Sequence, residues 1–309
     1  MSEYAIGIDL GGTNLRAAAI EYTGKLVDKI DGPTHYEKGR EAVLGDIVLA
    51  IESLRQKHGA DDLAGIGVGV PGFIRMKEGF ITNSNNLPYL ENFPVRDELI
   101  RRLARPVILE NDANAAALGE KWMGAGRSVE DLVLLTLGTG IGGGIISGGR
   151  VLRGFVGMAG ELGHTTVVPN GNPCGCGNRG CLEKHASATA IVAMANMLHL
   201  GDNLTAKDIG KLAEQPGETG DKARAIWRSM GEALGIALAN LVNTFNFPLY
   251  LLSGGPLPSW DFFAPAMMQT IEERSFTYRA TKPRVEKATL GNEAGLYGAA
   301  YLPWLEASH

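Results

Sequence analysis

The sequence predicts an α/β protein of two lobes built on one plan. Segments with strand composition alternate with segments of helical periodicity along the 309 residues. A unit of strand, glycine turn and strand opens the chain at "YAIGIDLGGTNLRAAAI" and returns at "DLVLLTLGTGIGGGIISGG". A chain of this length can bury a large core, and the repeated unit favours two lobes over one large domain.

The elements of the first half follow in order. The run from Tyr4 to Asp9 and the segments "LRAAAIEY" and "LVDKID" predict a meander of three strands. The apolar spacing from 40 to 58 predicts a helix. Its expected buried side chains are Val43, Ile47, Leu49 and Leu54. The segments "GIGVGVPG" and "PVILE" predict two more strands, and the alanine-rich run from Ala113 predicts a helix.

The second half starts with the repeated strand unit and continues mainly as helices. Helical spacing is found over 187–198, 205–213 and 218–243. The segment "PLYLLSGG" predicts a buried strand that ends in glycines, and "NEAGLYGAAYLPWL" predicts a last helix.

Composition excludes several classes of protein. The formal net charge of −5 and the pI of about 5.7 argue against a nucleic-acid partner, because such proteins carry a basic face. No run of about 18 apolar residues occurs, and the N-terminus "MSEYAIGIDLGG" lacks the basic and apolar regions of a signal peptide. We therefore expect a cytoplasmic protein with no membrane partner.

The two glycine turns, 9–14 and 137–144, are candidate phosphate sites. Glycine permits conformations in which several backbone amides point at one anion, so such turns bind phosphate without net positive charge. Asp9 ends a buried strand, where its carboxylate can hold hydrated Mg²⁺ facing a nucleotide. Further donors for phosphate oxygens are Thr13, Asn14, Arg16 and Thr139. The alternative is that both segments are ordinary hairpin turns.

The second turn also contains "GTGIGG", which matches the G-x-G-x-x-G pattern of dinucleotide sites. That pattern requires a helix after the glycines. Here the chain continues as the strand-like "IISGG", so the match does not predict a nicotinamide dehydrogenase.

The segment "ENDANAA" places Asn111 and Asp112 where a strand gives way to a helix. Either side chain can cap the helix, since Asn and Asp are favoured at that position. Asp112 can instead be a general base that takes a proton from a hydroxyl nucleophile during phosphoryl transfer. Spacing alone favours the cap.

All three cysteines, Cys174, Cys176 and Cys181, lie within eight positions and follow His164. Thiols stay reduced in the cytoplasm, so clustered cysteines there indicate a metal site before a disulfide. Three thiolates and one imidazole complete a tetrahedral Zn²⁺ shell, and a closed shell is typical of a structural site. A disulfide would use two of the three cysteines and leave the third unpaired.

Two glutamates flank this cluster, Glu161 before the histidine and Glu183 after the last cysteine. A zinc ion that fixes His164 and Cys181 would also fix the directions of both carboxylates. The alternative for both glutamates is a surface or helix-capping role. We expect His185 and His199 to be surface histidines.

Taken in order, these segments resemble the ROK family of sugar kinases, and most of all its bacterial glucokinases. The resemblance runs from about residue 4 to residue 303, and the zinc motif is its most specific part. The segments that carry it are "IDLGGTN", "VPG", "ENDANAAALGE", "LGTGIGGG", "ELGH", "CGCGNRGCLE", "LSGG" and "NEAGLYGAA".

The resemblance implies the actin-like ATPase fold shared with hexokinases, with two lobes that close over sugar and ATP. The smaller lobe would span 1–112, joined by the C-terminal helix at about 293–309. The larger lobe would span 113–292 and carry the zinc loop 164–181. Family members that are transcriptional repressors have an N-terminal DNA-binding domain, for which we expect no room before the first strand.

The resemblance also implies roles for individual residues. Asp112 would be the catalytic base, and His164 would contact both the sugar and the zinc ion. The other expected sugar-binding residues are Gly72, Asn85, Asn86, Asn111, Glu161 and Glu183. The expected nucleotide-binding residues, besides Asp9, are Gly11, Gly12, Thr13, Asn14, Gly138, Thr139, Gly140, Gly254 and Gly255.

The expected reaction is phosphorylation of D-glucose at its 6-hydroxyl by ATP, with Mg²⁺ bound to the nucleotide and Zn²⁺ as a structural ion. Other sugars phosphorylated within the family are N-acetylglucosamine, N-acetylmannosamine, mannose and fructose, and polyphosphate is an alternative donor. A sugar-sensing regulator without turnover is the alternative from another class. The resemblance favours a homodimer or a dimer of dimers.

Overall fold

The computed structural model describes residues 3–84 and 87–307. Its strands are β1 (Tyr4–Leu10), β2 (Asn14–Glu21), β3 (Leu26–Pro33), β4 (Leu63–Val70), β5 (Phe73–Arg75), β6 (Phe80–Asn83), β7 (Val107–Asn111), β8 (Leu132–Leu137), β9 (Ile141–Ser147), β10 (Arg150–Val151), β11 (Leu249–Gly254) and β12 (Arg284–Lys287). Its α-helices are α1 (Arg40–His58), α2 (Val95–Leu103), α3 (Asp112–Trp122), α4 (Glu183–Ala186), α5 (Ala188–Met197), α6 (Ala206–Ala213), α7 (Glu218–Phe245), α8 (Trp260–Arg274), α9 (Tyr278–Thr281) and α10 (Ala294–Ala307). The predicted α/β class is confirmed.

Contacts between residues divide the chain into two compact units. Unit 1 comprises Met1–Glu130, Gly144–Gly160 and Thr289–His309, and unit 2 comprises Asp131–Gly143 and Glu161–Ala288. The lobes expected from the resemblance, 1–112 with about 293–309 and 113–292, have other bounds and stay a prediction. Among the described helices, none combines the length and apolar composition that a membrane span requires.

The first sheet lies in unit 1 and has the strand order β3-β2-β1-β4-β7. Strands β1, β2 and β3 are antiparallel neighbours, which confirms the predicted meander. Strands β4 and β7 continue the sheet parallel to β1. In this register Asp9 stands opposite Arg16 on β2 and beside Gly69 on β4. The carboxyl ends of β1, β4 and β7 therefore lie at one edge, where Asp9 and Asn111 are found.

Both faces of this sheet are covered, and alternate residues of β1 belong to different hydrophobic clusters. Ile6 and Ile8 pack in the cluster that includes Ile47 of α1, whereas Ala5 packs with Leu296 of α10. The period of two along a strand sends successive side chains to opposite faces. The larger residues of β1 thus face α1, and the small residue leaves room for α10.

Helix α1 has the predicted bounds but not all of the predicted buried residues. Val43, Ile47 and Leu54 are buried, whereas Leu49 is 72% exposed. Two residues along a helix turn the side chain through about 200°, so Leu49 faces away from Ile47. The prediction for Leu49 was wrong because an apolar side chain was counted without its position on the helix.

Helices α3 and α10 pack closely within unit 1, and glycines at their crossing permit the approach. A Cβ on Gly298 would lie 1.6 Å from the carbonyl oxygen of Ala115, and one on Gly119 would lie 2.1 Å from that of Ala294. No side chain fits at such distances. This contact holds α3, and with it the start of α3 at Asp112, against the sheet of unit 1.

The second sheet has the order β10-β9-β8-β11-β12. Strands β8, β11 and β12 are parallel, and β9 and β10 form an antiparallel pair. The second glycine turn joins β8 to β9 without a helix, as predicted. The helices predicted in the second half are confirmed as α5, α6, α7 and α10, and the predicted glycine-ended strand is β11.

Candidate active site and metal centre

The first glycine turn joins β1 to β2 and is held from outside by Thr34. The turn closes through a bond from Gly11 N to the carbonyl oxygen of Asn14, at 2.8 Å. Thr34 donates from its hydroxyl to the carbonyl oxygen of Gly11 and from its backbone nitrogen to that of Thr13. Thr13 and Asn14 are exposed. The turn is thus anchored through its carbonyl groups while its tip is accessible to a ligand.

Asp9, the expected Mg²⁺ residue, lies beside this turn and is bound by Arg16. The Arg16 guanidinium donates to Asp9 Oδ2 and to the carbonyl oxygen of Asn292. Burial raises the pKa of Asp9 above its ordinary value, and the charge of Arg16 opposes that shift. Arg16 was expected to add a phosphate donor, but two of its nitrogens bind protein groups. It neutralises Asp9 instead.

The start of α3 shows which of the two alternative residues, Asn111 or Asp112, caps the helix. Asn111 is the N-cap: its Oδ1 accepts from Ala113 N at 3.0 Å and from Asn114 N at 3.2 Å. Its Nδ2 donates to the carbonyl oxygen of Gly72 at 3.2 Å. Asp112 is the first residue of the helix, and its Oδ1 accepts from Ala113 N at 2.9 Å. Asn111 is therefore the cap of α3, and the general-base role of Asp112 stays a prediction.

Gly72, which was expected to face the sugar, is thus linked to Asn111 within unit 1. Its φ of 111° lies in the region that favours glycine, so a side chain at this position would strain the turn after β4. The other expected residues of this segment, Asn85 and Asn86, lie outside the described residues.

In unit 2, the second glycine turn is held by the start of α5. Ala188 N donates to the carbonyl oxygen of Gly138 at 2.8 Å, and the Thr189 hydroxyl donates to that of Thr139 at 2.7 Å. Gly138 N closes the turn by donating to Gly140 O at 2.9 Å. Thr189 was not predicted as a site residue. The only available signal was its place shortly after the motif that ends in Glu183.

The turn of Gly254 and Gly255, expected to lie near the adenosine of the nucleotide, is next to the second glycine turn. Gly255 N donates to the carbonyl oxygen of Leu137 at 3.1 Å, and Leu137 directly precedes Gly138. Gly254 has a φ of 110°, and a Cβ there would lie 2.0 Å from Leu137 O. The two glycine segments of unit 2 that were expected to bind nucleotide are therefore brought together at the ends of β8 and β11.

Glu183 connects the expected sugar site to the expected phosphate site. Its Oε2 accepts from Ile141 N at 3.2 Å, at the point where the second glycine turn enters β9. A Cβ on Gly140 would lie 2.3 Å from the same oxygen. The Glu183 side chain is 21% exposed, and its other oxygen, Oε1, lies 3.7 Å from Lys184 Nζ.

Glu161 and His164 form a second part of the expected sugar site. His164 Nε2 lies 4.0 Å from Glu161 Oε2 across one turn of a short 3-10 helix. Partial burial raises the pKa of Glu161, His164 lowers it, and Glu183 raises it again. The negative charge of Glu183 thus acts on the pKa of Glu161. Such a pair is suited to accept hydrogen bonds from neighbouring hydroxyl groups of one sugar.

The expected zinc ligands come together as the sequence predicts. The ligand atoms of His164, Cys174, Cys176 and Cys181 all lie within 4.8 Å of one another. His164 Nδ1 is 3.6 Å from Cys174 Sγ, and Cys176 Sγ is 3.7 Å from Cys181 Sγ. Ligand atoms on a tetrahedral Zn²⁺ lie about 3.5–3.8 Å apart, given the usual bond lengths. The donor set and the spacing therefore fit zinc.

The metal cluster also sets the orientation of His164. Its Nδ1 faces the cysteines, and its Nε2 faces Glu161. Asn178 Nδ2 donates to Cys181 Sγ at 3.4 Å, a contact that supports a thiolate ligand from outside the shell. One imidazole can thus bind zinc through one nitrogen and contact a sugar through the other.

The two histidines expected at the surface, His185 and His199, differ in exposure. His199 is exposed, as predicted. His185 is half-buried, its Nε2 is fully enclosed, and burial lowers its pKa. The prediction of a surface position for His185 was wrong because the loop at Gly171 folds over its ring, with the Gly171 Cβ position 2.8 Å from Nε2.

Comparison with known proteins identifies the family of this chain. The model of the ROK family matches residues 5–305. A protein of Halalkalibacterium halodurans named glucokinase is 39% identical, over 96% of this chain and 94% of the relative. The crystal structure of a ROK hexokinase from Thermus thermophilus has a TM-score of 0.85 at 36% identity and covers 99% of both chains.

A second solved structure was determined with ligands. It is a ROK family glucokinase from Streptomyces griseus in complex with glucose and AMPPNP, with a TM-score of 0.78 at 32% identity over 97% of this chain and 98% of that one. These likenesses extend over nearly the whole chain and confirm the expected hexokinase-type fold. The chain belongs to the ROK family.

Proposed function

We propose that this protein transfers the γ-phosphoryl group of ATP to the 6-hydroxyl of D-glucose. The observation that carries the proposal is the bond from Ile141 N to Glu183 Oε2. It joins a carboxylate expected to bind sugar to a glycine turn expected to bind phosphate, within one unit. A sugar kinase needs both groups in fixed relation, because phosphoryl transfer depends mainly on positioning.

The relatives support the choice of substrates. The Halalkalibacterium halodurans protein is named a glucokinase, and the Streptomyces griseus structure holds glucose and an ATP analogue. We extend both substrates to this chain. The resemblance further favours a cytoplasmic protein that forms a homodimer or a dimer of dimers. A sizing column tests the oligomeric state.

Asp112 has the role of general base in this proposal. It would orient the 6-hydroxyl and accept its proton as the oxygen attacks phosphorus. Two observations support this. Asn111 is the N-cap, and Asp112 follows it as the first residue of α3. The close packing of α3 on α10 gives Asp112 a rigid support.

The sugar hydroxyls would be held by Glu161, Glu183 and His164. A carboxylate accepts hydrogen bonds from hydroxyl groups, and the His164 Nε2 adds a group that can donate or accept. Zn²⁺, when bound by the four ligands, supplies structural order to this loop. The His164 ring then keeps one orientation, and its Nε2 stays next to the Glu161 carboxylate.

Each glycine turn would bind phosphate oxygens through its own backbone amides. Such turns bind anions locally, so a protein of net charge −5 can still bind ATP. Mg²⁺, when present with the nucleotide, would offset the phosphate charge, and Asp9 is the residue expected to hold it. The ion pair of Asp9 with Arg16 keeps that carboxylate neutralised beside the first turn.

The experiment is a coupled assay of ADP release with glucose, N-acetylglucosamine, N-acetylmannosamine, mannose and fructose, run with wild type and Asp112→Asn. We expect glucose to have the highest kcat/KM, and the variant to lose about 10²-fold or more in kcat while still binding glucose. Asp261→Asn is the control, because Asp261 is also in the first turn of a helix, α8. Glucose binding without ADP formation by wild type would instead identify a sugar-sensing regulator.

A further inference from the structure

Glu110, which directly precedes Asn111 and Asp112, is a buried carboxylate that accepts three hydrogen bonds and forms an ion pair with Arg153. The residue is 1% exposed. Its Oε1 accepts from Asn111 N at 3.0 Å and from Asn114 Nδ2 at 3.1 Å. Its Oε2 accepts from Arg153 Nε at 2.9 Å, and Arg153 Nη2 forms an ion pair with the same oxygen at 2.8 Å. Each oxygen of this carboxylate thus holds a different part of the chain.

Arg153 comes from a segment 43 residues further along the chain, also in unit 1. Its carbonyl oxygen accepts from Ala159 N at 3.1 Å, which closes a loop over residues 153–159. Phe155 and Val156 in this loop are exposed, at 102% and 50%. Arg153 is therefore the polar anchor of a loop whose apolar side chains point to solvent.

The two donors on Oε1 lie on either side of Asp112. Asn111 is the residue before it, and Asn114 is two residues after it. Asn111 Oδ1 in turn caps Asn114 N at 3.2 Å. These bonds form a closed network around the first turn of α3. A shift of the Glu110 carboxylate would therefore move Asn111 and Asn114 together.

We propose that Glu110 and Arg153 are a positioning pair for the catalytic turn: the ion pair fixes the Glu110 carboxylate, and Glu110 fixes the orientation of Asp112. The inference rests on the proposed function for its kinetic consequence. Neither residue touches the reacting atoms in this scheme. Both act through Asn111 and Asn114.

The effect of removing one partner follows from burial. Without Arg153, Glu110 would be a buried charge with no cation, an arrangement that is strongly unfavourable. The carboxylate would rotate toward water or take up a proton, and its bonds to Asn111 N and Asn114 Nδ2 would weaken. Removing both charges avoids this, since a glutamine at 110 can keep its amide oxygen on the same two donors.

The test compares Arg153→Met, Arg153→Lys and the double variant Glu110→Gln with Arg153→Met, by kcat, glucose KM, melting temperature and amide exchange. We expect Arg153→Met to lower kcat on the order of 10- to 10²-fold, as small displacements of catalytic groups do, with a much smaller change in KM. The double variant should recover roughly tenfold of that loss, which a double-mutant cycle reports as coupling. Arg153→Lys should fall between wild type and Arg153→Met, because lysine keeps the charge but not the fixed direction of the guanidinium contacts with Oε2.

The matched control is Arg102→Met. Arg102 also makes two ion pairs in unit 1, with Glu41 and Glu98, and neither partner belongs to the turn before α3. Its loss should lower melting temperature but leave kcat within about twofold. If Arg153→Met behaves like Arg102→Met, or if the double variant shows no coupling, the pair is only structural and the proposal is overturned.

Amide exchange separates this inference from the proposed function. Arg153→Met should speed exchange at the Asn111 amide, and Arg102→Met should not, whether or not the protein phosphorylates glucose. If Arg153→Met does not fold, Arg153→Lys and the double variant carry the same comparison. An unchanged Asn111 amide in all of these variants contradicts the role of the pair.

Discussion

Glu183 accepts a hydrogen bond from the backbone nitrogen of Ile141, at 3.2 Å, and so touches the second glycine turn directly. The contact is possible because Gly140 has no side chain. A Cβ on that residue would lie 2.3 Å from the Glu183 oxygen. Gly140 therefore has a second role beside any phosphate binding: it leaves room for the carboxylate of the proposed sugar site.

The first prediction concerns the space between Gly140 and the Glu183 carboxylate. Gly140→Ala should displace the Glu183 carboxylate and weaken glucose binding roughly tenfold, the usual effect of losing one hydrogen bond to a charged group. Isothermal titration of glucose without nucleotide measures this directly. Gly138→Ala is the control, since a Cβ there would meet only Gly140 O at 3.9 Å. Equal glucose affinities in the two variants would show that Gly140 serves phosphate binding alone.

The second prediction concerns the metal. Elemental analysis of the purified protein should find about one zinc per chain, and Cys176→Ser should lower it. Metal loss should reduce both melting temperature and glucose affinity, because the ion orders the loop that holds His164. Added Zn²⁺ should restore the chelated wild type but not the variant. Full glucose affinity in metal-free wild type would contradict the structural role.

The third prediction concerns the crossing of α3 and α10. Gly298→Ala should destabilise the protein by several kcal/mol or prevent folding, since its Cβ would lie 1.6 Å from Ala115 O. Gly45→Ala in α1 is the matched control. No atom lies within 4 Å of its Cβ position, so the change should be neutral or stabilise by up to about 1 kcal/mol. Chemical denaturation measures both, and similar midpoints would show that the helices can separate without cost.

The fourth prediction follows from the correction in α1. Ile47 is fully buried and Leu49 is 72% exposed. Ile47→Ala should therefore cost about 2–5 kcal/mol of unfolding free energy, whereas Leu49→Ala should cost less than about 0.5 kcal/mol. Urea unfolding of the two variants tests this. A large effect at Leu49 would indicate that another surface covers it in solution.

The fifth prediction concerns acid stability. Hydrogen bonds from Lys57 and then His58 lower the pKa of Asp28 from 3.8 to about 2. A carboxyl group with a lowered pKa in the folded state stabilises the protein above its unfolded pKa, and this contribution is lost as pH falls toward the folded value. Asp28→Asn should thus lower the melting temperature at pH 6, and the difference from wild type should shrink between about pH 4 and pH 2. A difference that does not change with pH would exclude this linkage.

Much of the fold could be predicted from local patterns. Strand β1 and helix α1 have periodic apolar spacing and clear glycine boundaries, and both were confirmed. Helix α2, the β5 and β6 hairpin, α8 and β12 were not predicted. Pro265 lies inside α8, and β5 and β12 have only three and four residues. Short or interrupted elements depend on their neighbours more than on their own composition.

The sequence by itself determined the chemical identity of the site. Three cysteines and a histidine in a glycine-rich stretch predict a zinc ligand set, and glycine turns after strands predict anion sites, because these properties depend on residue type and spacing. Only the tertiary structure decided which neighbour caps α3, that Arg16 binds Asp9, and that Glu110 meets Arg153. Side-chain direction and contacts between distant segments depend on how the elements pack, and a single sequence carries no local signal for them.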